Sequence, residues 1–145
     1  MDSKKGTINL EKTYIKDLSF EFPLAGQSIS SGYPSRFEAD FLVNVTHIEK
    51  DRYEISLNLT GKGINNESEE TVYLIEVVQA GIFLKEGEID DESAKEMTLT
   101  ECPANLYPYL REVVDSILAK SGLPPLVLAP LDFKVRRMGM GTLSS

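Results

Sequence analysis

Apolar and polar residues alternate along much of the first half of the chain. In residues 17–22, Leu18, Phe20 and Phe22 fall on one side of an extended backbone and Asp17, Ser19 and Glu21 on the other. Pro23 ends that ladder, residues 26–34 read as a loop, and the strand can begin as early as Ile8. A second strand over residues 37–46 puts Phe37, Ala39, Phe41, Val43 and Val45 opposite Glu38, Asp40, Asn44 and Thr46, with Leu42 out of pattern. After a turn at Glu49, Lys50 and Asp51, a third strand sets Tyr53, Ile55, Leu57 and Leu59 against Glu54, Ser56, Asn58 and Thr60. This pair predicts an antiparallel hairpin with one wet face. Residues 61–70 read as a polar loop. The fourth strand, residues 71–80, is apolar on both sides: Tyr73, Ile75 and Val77 on one, Val72, Leu74 and Val78 on the other, broken by Glu76. A strand of that kind is covered on both faces, and in a small domain the second cover can be another subunit.

The second half changes period. Asp90, Asp91 and Glu92 suit a helix N-terminus, where carboxylates meet the positive end of the dipole. Cys102-Pro103 is expected to end that helix, and Asn105 to cap the next, with Pro108 in its first turn. Leu106, Leu110, Val113 and Ile117 form an apolar helical stripe, Lys120 suits the last turn and Gly122 the C′ position. Pro124-Pro125 forbids continuation, residues 126–130 form an extended apolar link, and a short helix is expected from Leu131. Strands followed by helices give an α+β class: a four-stranded antiparallel sheet, a long helix packed on one face and a short C-terminal helix.

The 145 residues fit one domain, residues 1–133, followed by a tail, residues 134–145. The net charge of −8 argues against a nucleic-acid binder, which needs a cationic face for phosphates. The tail is locally basic through Lys134, Arg136 and Arg137, small and polar at its end, and expected to be mobile. No apolar run approaches the ~20 residues of a membrane span, so membrane insertion is not expected. Residues 1–9 carry no apolar segment of the secretory kind, and the single Cys102 has no partner for an internal disulfide, so a cytoplasmic location is expected.

The chemistry of an enzyme is not visible. His47 is the one histidine, at a strand end with no Cys or second His nearby, and reads as a surface residue. Cys102 reads as a small packed thiol. Gly61-Lys62-Gly63 lacks the spacing of a phosphate loop. Glu86, Glu88, Asp90, Asp91 and Glu92 lack the spacing and glycine of a calcium loop. No catalytic residue, metal or cofactor is therefore expected.

Four stretches carry a resemblance: Tyr14-Ile15-Lys16-Asp17-Leu18-Ser19-Phe20-Glu21; Leu74-Ile75-Glu76-Val77-Val78-Gln79-Ala80-Gly81-Ile82-Phe83; Cys102-Pro103-Ala104-Asn105-Leu106-Tyr107-Pro108-Tyr109-Leu110-Arg111-Glu112; and Leu128-Ala129-Pro130-Leu131-Asp132-Phe133. In this order the chain resembles the SecB family of bacterial protein-export chaperones. The resemblance implies a homotetramer, a dimer of dimers, that binds unfolded preproteins, hydrolyses no nucleotide and delivers its clients to the motor SecA. It implies SecA contact at Asp17, Glu21, Leu74 and Glu76, and a subunit interface at Ile75, Val77 and Gln79. A client groove is sought between sheet, long helix and apolar link, with Phe41, Phe83, Tyr109, Leu126, Leu128 and Phe133 as candidates; ordinary core packing is the competing reading of each. The chain departs from the family in its short basic tail, where members commonly carry a longer acidic one, and in Ala80-Gly81, where many have Gly-Gly. SecB-like chaperones also guard antitoxins of toxin–antitoxin systems, which is the alternative role. A small-molecule-binding α+β domain is the rival from another class.

Overall fold

Strands β1 (Thr7–Glu21), β2 (Arg36–Glu49), β3 (Arg52–Ile64) and β4 (Thr71–Glu86) hydrogen-bond into one antiparallel sheet. Helices α1 (Asp91–Leu99) and α2 (Glu101–Lys120) follow, and a two-residue strand β5 (Leu143–Ser144) pairs with β2 at Asp40 and Phe41. The sheet order is β1-β4-β3-β2-β5. This computed structural model describes residues 6–26, 36–126, 128–133 and 143–144. The basic segment of the expected tail, and all but the start of the expected C-terminal helix, lie outside the described residues.

Register sorts the side chains into two faces, because partners across an antiparallel ladder point the same way. The inner face carries Phe41, Leu59, Val77 and Leu18 in one row and Val43, Leu57, Gln79 and Ile15 in the next. Helix α2 lies over it, burying Cys102, Leu106, Tyr107, Leu110, Val114 and Leu118. The outer face carries Glu38, Lys62, Leu74 and Glu21, then Asp40, Thr60, Glu76 and Ser19, then Leu42, Asn58, Val78 and Asp17. β1 keeps this sorting over 15 residues only by shifting register twice, between Leu10 and Lys12 and between Ile15 and Asp17. Each extra residue flips the alternation, so Ile8 and Leu10, then Thr13 and Ile15, then Leu18 and Phe20 all reach the inner face.

Helix α2 begins earlier than the sequence pattern suggests. Cys102-Pro103 does not break a helix and Asn105 is not a cap; both lie inside α2, which starts at Glu101. Pro103 falls in the first turn, where backbone N–H groups have no intrahelical partner to lose. Pro108 does sit within the helix and forfeits one hydrogen bond. The Asp90 side chain caps α1 by accepting from the Ser93 N–H at 2.7 Å. Gly122 takes φ +73° after the last turn, and the Leu123 N–H returns to the Leu118 carbonyl at 3.0 Å.

Candidate functional site

The outer face gathers one cluster. Glu21 stands opposite Leu74, and Ser19 opposite Glu76, on adjacent strands ~4.8 Å apart. Asp17 is four residues from Glu21, ~13 Å along the same strand and on the same face. So Asp17, Glu21, Leu74 and Glu76 share one surface, and Leu74 keeps 38% of its area exposed. None of the three carboxylates forms an ion pair among the described residues. Farther along this face Glu54 is engaged: it accepts from Lys16 Nζ at 2.7 Å and from Tyr14 Oη at 2.5 Å. Those two donors hold its carboxyl below the usual carboxylate range. Burial, with Glu54 alongside, pushes the Tyr14 phenol up to about 12.

An aromatic cleft opens at the end of the inner face. Phe20, Tyr73 and Phe37 form a row, with ring centroids 5.8 Å apart for Phe20 and Tyr73 and 6.2 Å for Tyr73 and Phe37. The rings lie over glycines: a Cβ at Gly63 would meet the Tyr73 ring at 2.3 Å, and one at Gly61 the Phe37 ring at 2.4 Å. Arg36, Phe37, Tyr73, Leu123, Pro125 and Leu126 line a cavity of about 180 Å³ there. A second cleft, about 450 Å³, separates the first turn of α2 (Thr100, Glu101, Ala104) from residues 130–133.

The six groove candidates do not converge on one surface. Leu126 lines the aromatic cleft and Phe133 the second one. Leu128 and Phe133 are buried against the core. Phe41 and Phe83 have no exposed area and are core residues in this structure, the competing reading for both. Tyr109 is exposed, but ~200° around α2 from Tyr107, which faces the link. Phe37, Tyr73, Leu123 and Pro125 were not among the candidates. The signal for Phe37 and Tyr73 is the Gly-Lys-Gly in β3, where a strand glycine leaves room for a ring laid flat on the backbone.

Ile75, Val77 and Gln79 lie on the inner face, covered by the chain's own core. Gln79 Nε2 donates to Thr13 Oγ1 at 2.8 Å, while its Oε1 is buried without a hydrogen-bond partner among the described residues.

The family described as preprotein translocase subunit SecB matches residues 1–136. The chain belongs to the SecB family. It is 34% identical to the protein-export protein SecB of Alcanivorax borkumensis over 133 residues, covering 91% of this chain and 84% of that one. The protein-export protein SecB of Cellvibrio japonicus is 32% identical over 124 residues, 86% of this chain and 72% of its own length. In structure the chain matches the SecB-like chaperone of Mycobacterium tuberculosis, solved with a ChAD peptide from the HigA1 antitoxin, with a TM-score of 0.70 at 17% identity over 86% and 91% of the two chains. That likeness shows the shared SecB-like fold, a four-stranded antiparallel sheet followed by a long helix. No helix among the described residues is long and apolar enough to cross a membrane.

Proposed function

We propose that this SecB-family chain is a chaperone, not an enzyme, that holds unfolded preproteins in the cytoplasm and delivers them to SecA for export. The observation that carries the reading is the outer face, where a SecB-family chain gathers Asp17, Glu21, Leu74 and Glu76 on one rigid sheet. Carboxylates with no ion-pair partner among the described residues, flanking an exposed leucine, suit a partner surface that is basic around an apolar centre. The cleft of Phe37, Tyr73 and Leu126 suits the other half of the task. Apolar burial is non-directional, so a groove of rings and aliphatic groups accepts many client sequences without a shared motif.

The homotetramer belongs to the same proposal. β1 is an outer strand 15 residues long, with Ile15 49% and Leu18 38% exposed. Folded proteins cover such an edge. Ile75 and Val77 act in assembly through the packing beneath that edge rather than by direct contact.

Calorimetric titration with SecA tests the partner assignment, comparing the native protein with a variant carrying Asp17→Lys, Glu21→Lys and Glu76→Lys. Binding by the native protein and its loss in the variant is the expected result. An undiminished affinity in the variant would remove the assignment. No binding by the native protein would favour a SecA-independent role such as antitoxin protection.

A further inference from the structure

On the outer face a cation is set among carboxylates. Lys62 of β3 stands in the row Glu38, Lys62, Leu74 and Glu21. Leu74 therefore has Glu21 on one side and Lys62 on the other, each one strand spacing of ~4.8 Å away. Asp40 and Glu76 lie on the diagonals from Lys62, ~7–8 Å off. Yet Lys62 is exposed and forms no ion pair among the described residues. Glu38, directly opposite, is the acid placed to pair with it. That carboxylate is drawn off instead: it accepts from Arg36 Nε at 3.0 Å, and Arg36 Nη2 donates in turn to Glu69 at 3.0 Å. The Lys62 ammonium is thereby left to solvent. A shallow cavity of about 550 Å³ opens beside it, lined by Glu38, Asp40, Thr60, Gly61, Lys62 and Leu74. Thr60 shares the strand and the face of Lys62, is exposed, and carries a hydroxyl that can donate. Because Leu74 belongs both to this cavity and to the cluster of Asp17, Glu21 and Glu76, the two form one continuous surface.

We infer that Lys62 is the specificity-determining residue of the outer face, and that the partner docking there presents an acidic side chain among its basic ones, seated between Lys62 and Thr60. The inference rests on the SecA reading above and deepens it, by stating the charge pattern the partner must carry. A face of carboxylates alone draws in any polycation, since that attraction is long-range and has no register. Discrimination needs a feature that penalises the wrong partner as well as one that favours the right one. Lys62 supplies both. An unbroken basic stretch meets a like charge there, whereas a carboxylate at that point gains an ion pair. From β1 to β3 the row reads acidic, apolar, basic over ~10 Å, so the partner reads basic, apolar, acidic over the same span. Arg36 is a positioning residue in this scheme, because it keeps Glu38 from neutralising Lys62 within the chain.

The test titrates the full chain with SecA by calorimetry and, separately, with a fluorescein-labelled decalysine peptide by anisotropy. Lys62→Gln removes the charge at an exposed strand position. It should weaken SecA binding at least ~5-fold, the upper end for an exposed ion pair, and tighten decalysine binding, since a repulsion is gone. Lys62→Arg keeps the charge and should leave both affinities close to the native values. A Lys62→Gln variant that binds SecA as tightly as the native protein, or more tightly, would overturn the role of Lys62 and leave the SecA reading intact. Loss of SecA binding with no gain for decalysine, or an equal loss in Lys62→Arg, would overturn it as well. A native protein that does not bind SecA would overturn the partner reading and the inference with it.

Discussion

Placing a methyl group at Gly63 tests whether the aromatic cleft is built as described. A Cβ there would lie 2.3, 2.7 and 2.8 Å from three atoms of the Tyr73 ring, far inside van der Waals contact. Tyr73 is only 3% exposed, with Phe20 and Phe37 beside it, so its ring has little room to retreat. Overpacking of this kind costs ~1–3 kcal/mol. Gly63 has no positive φ, so the alanine adopts the native backbone and returns ~0.4–1 kcal/mol by restricting the unfolded chain. The balance runs from about zero to a net loss of ~2.6 kcal/mol. Urea unfolding at equal protomer concentration, followed by circular dichroism, measures it, because coupling to assembly would otherwise shift the midpoint. The decisive comparison is the double variant Gly63→Ala with Tyr73→Leu. If the clash is with the ring, the alanine should cost less, or become favourable, once the ring is gone, giving a coupling of at least ~0.5 kcal/mol. Equal costs in the two backgrounds would refute the idea that this glycine exists to seat that ring.

Three further outcomes are expected. Glu54 has a depressed folded-state pKa, so its contribution is present above the ordinary glutamate value and lost as pH falls through the folded one; the margin in Tm between the native protein and Glu54→Gln should be full near pH 6 and shrink toward pH 3, and a pH-independent margin would contradict the Lys16 and Tyr14 contacts. Burial pushes the Cys102 thiol up to about 12, so Ellman's reagent should react at the rate of global unfolding, and immediate reaction in the native protein would show that the start of α2 is open. Ile15→Lys with Leu18→Lys places charge on the exposed part of β1 and should lower the assembled mass in light scattering while keeping far-UV circular dichroism; an unchanged mass would show that β1 is not the interface.

The alternation of residues 17–22, 37–46 and 53–60 placed three strands because one side of each is wet, so period 2 survives in composition. The same alternation put Asp17 and Glu21 on one face. It did not reveal the two register shifts of β1, because an extra residue at an edge leaves no mark in hydrophobicity. The start of α2 is hidden in the sequence for a related reason. A proline reads as a break unless its N–H would have been unpaired anyway, and that depends on where the helix begins. Residue type cannot separate an aromatic in a core, as Phe41 and Phe83 are, from one in a cleft. Tyr73 and Phe37 have the same chemistry and line the cleft.

What the sequence determined by itself was the α+β class, the wet and apolar sides of residues 17–22, 37–46 and 53–60, the end of α2 at Gly122 and the SecB resemblance of four stretches. These follow from local stereochemistry: side chains alternate on a strand, glycine tolerates positive φ, and proline lacks a donor. Only the tertiary structure decided which strands are neighbours, and so that Glu21 meets Leu74 from 53 positions away in the chain. It also decided that Gly63 seats Tyr73 and that the Tyr107 hydroxyl reaches the Ala129 carbonyl. Those contacts depend on register and on distances between segments remote in the chain, and no local preference encodes either.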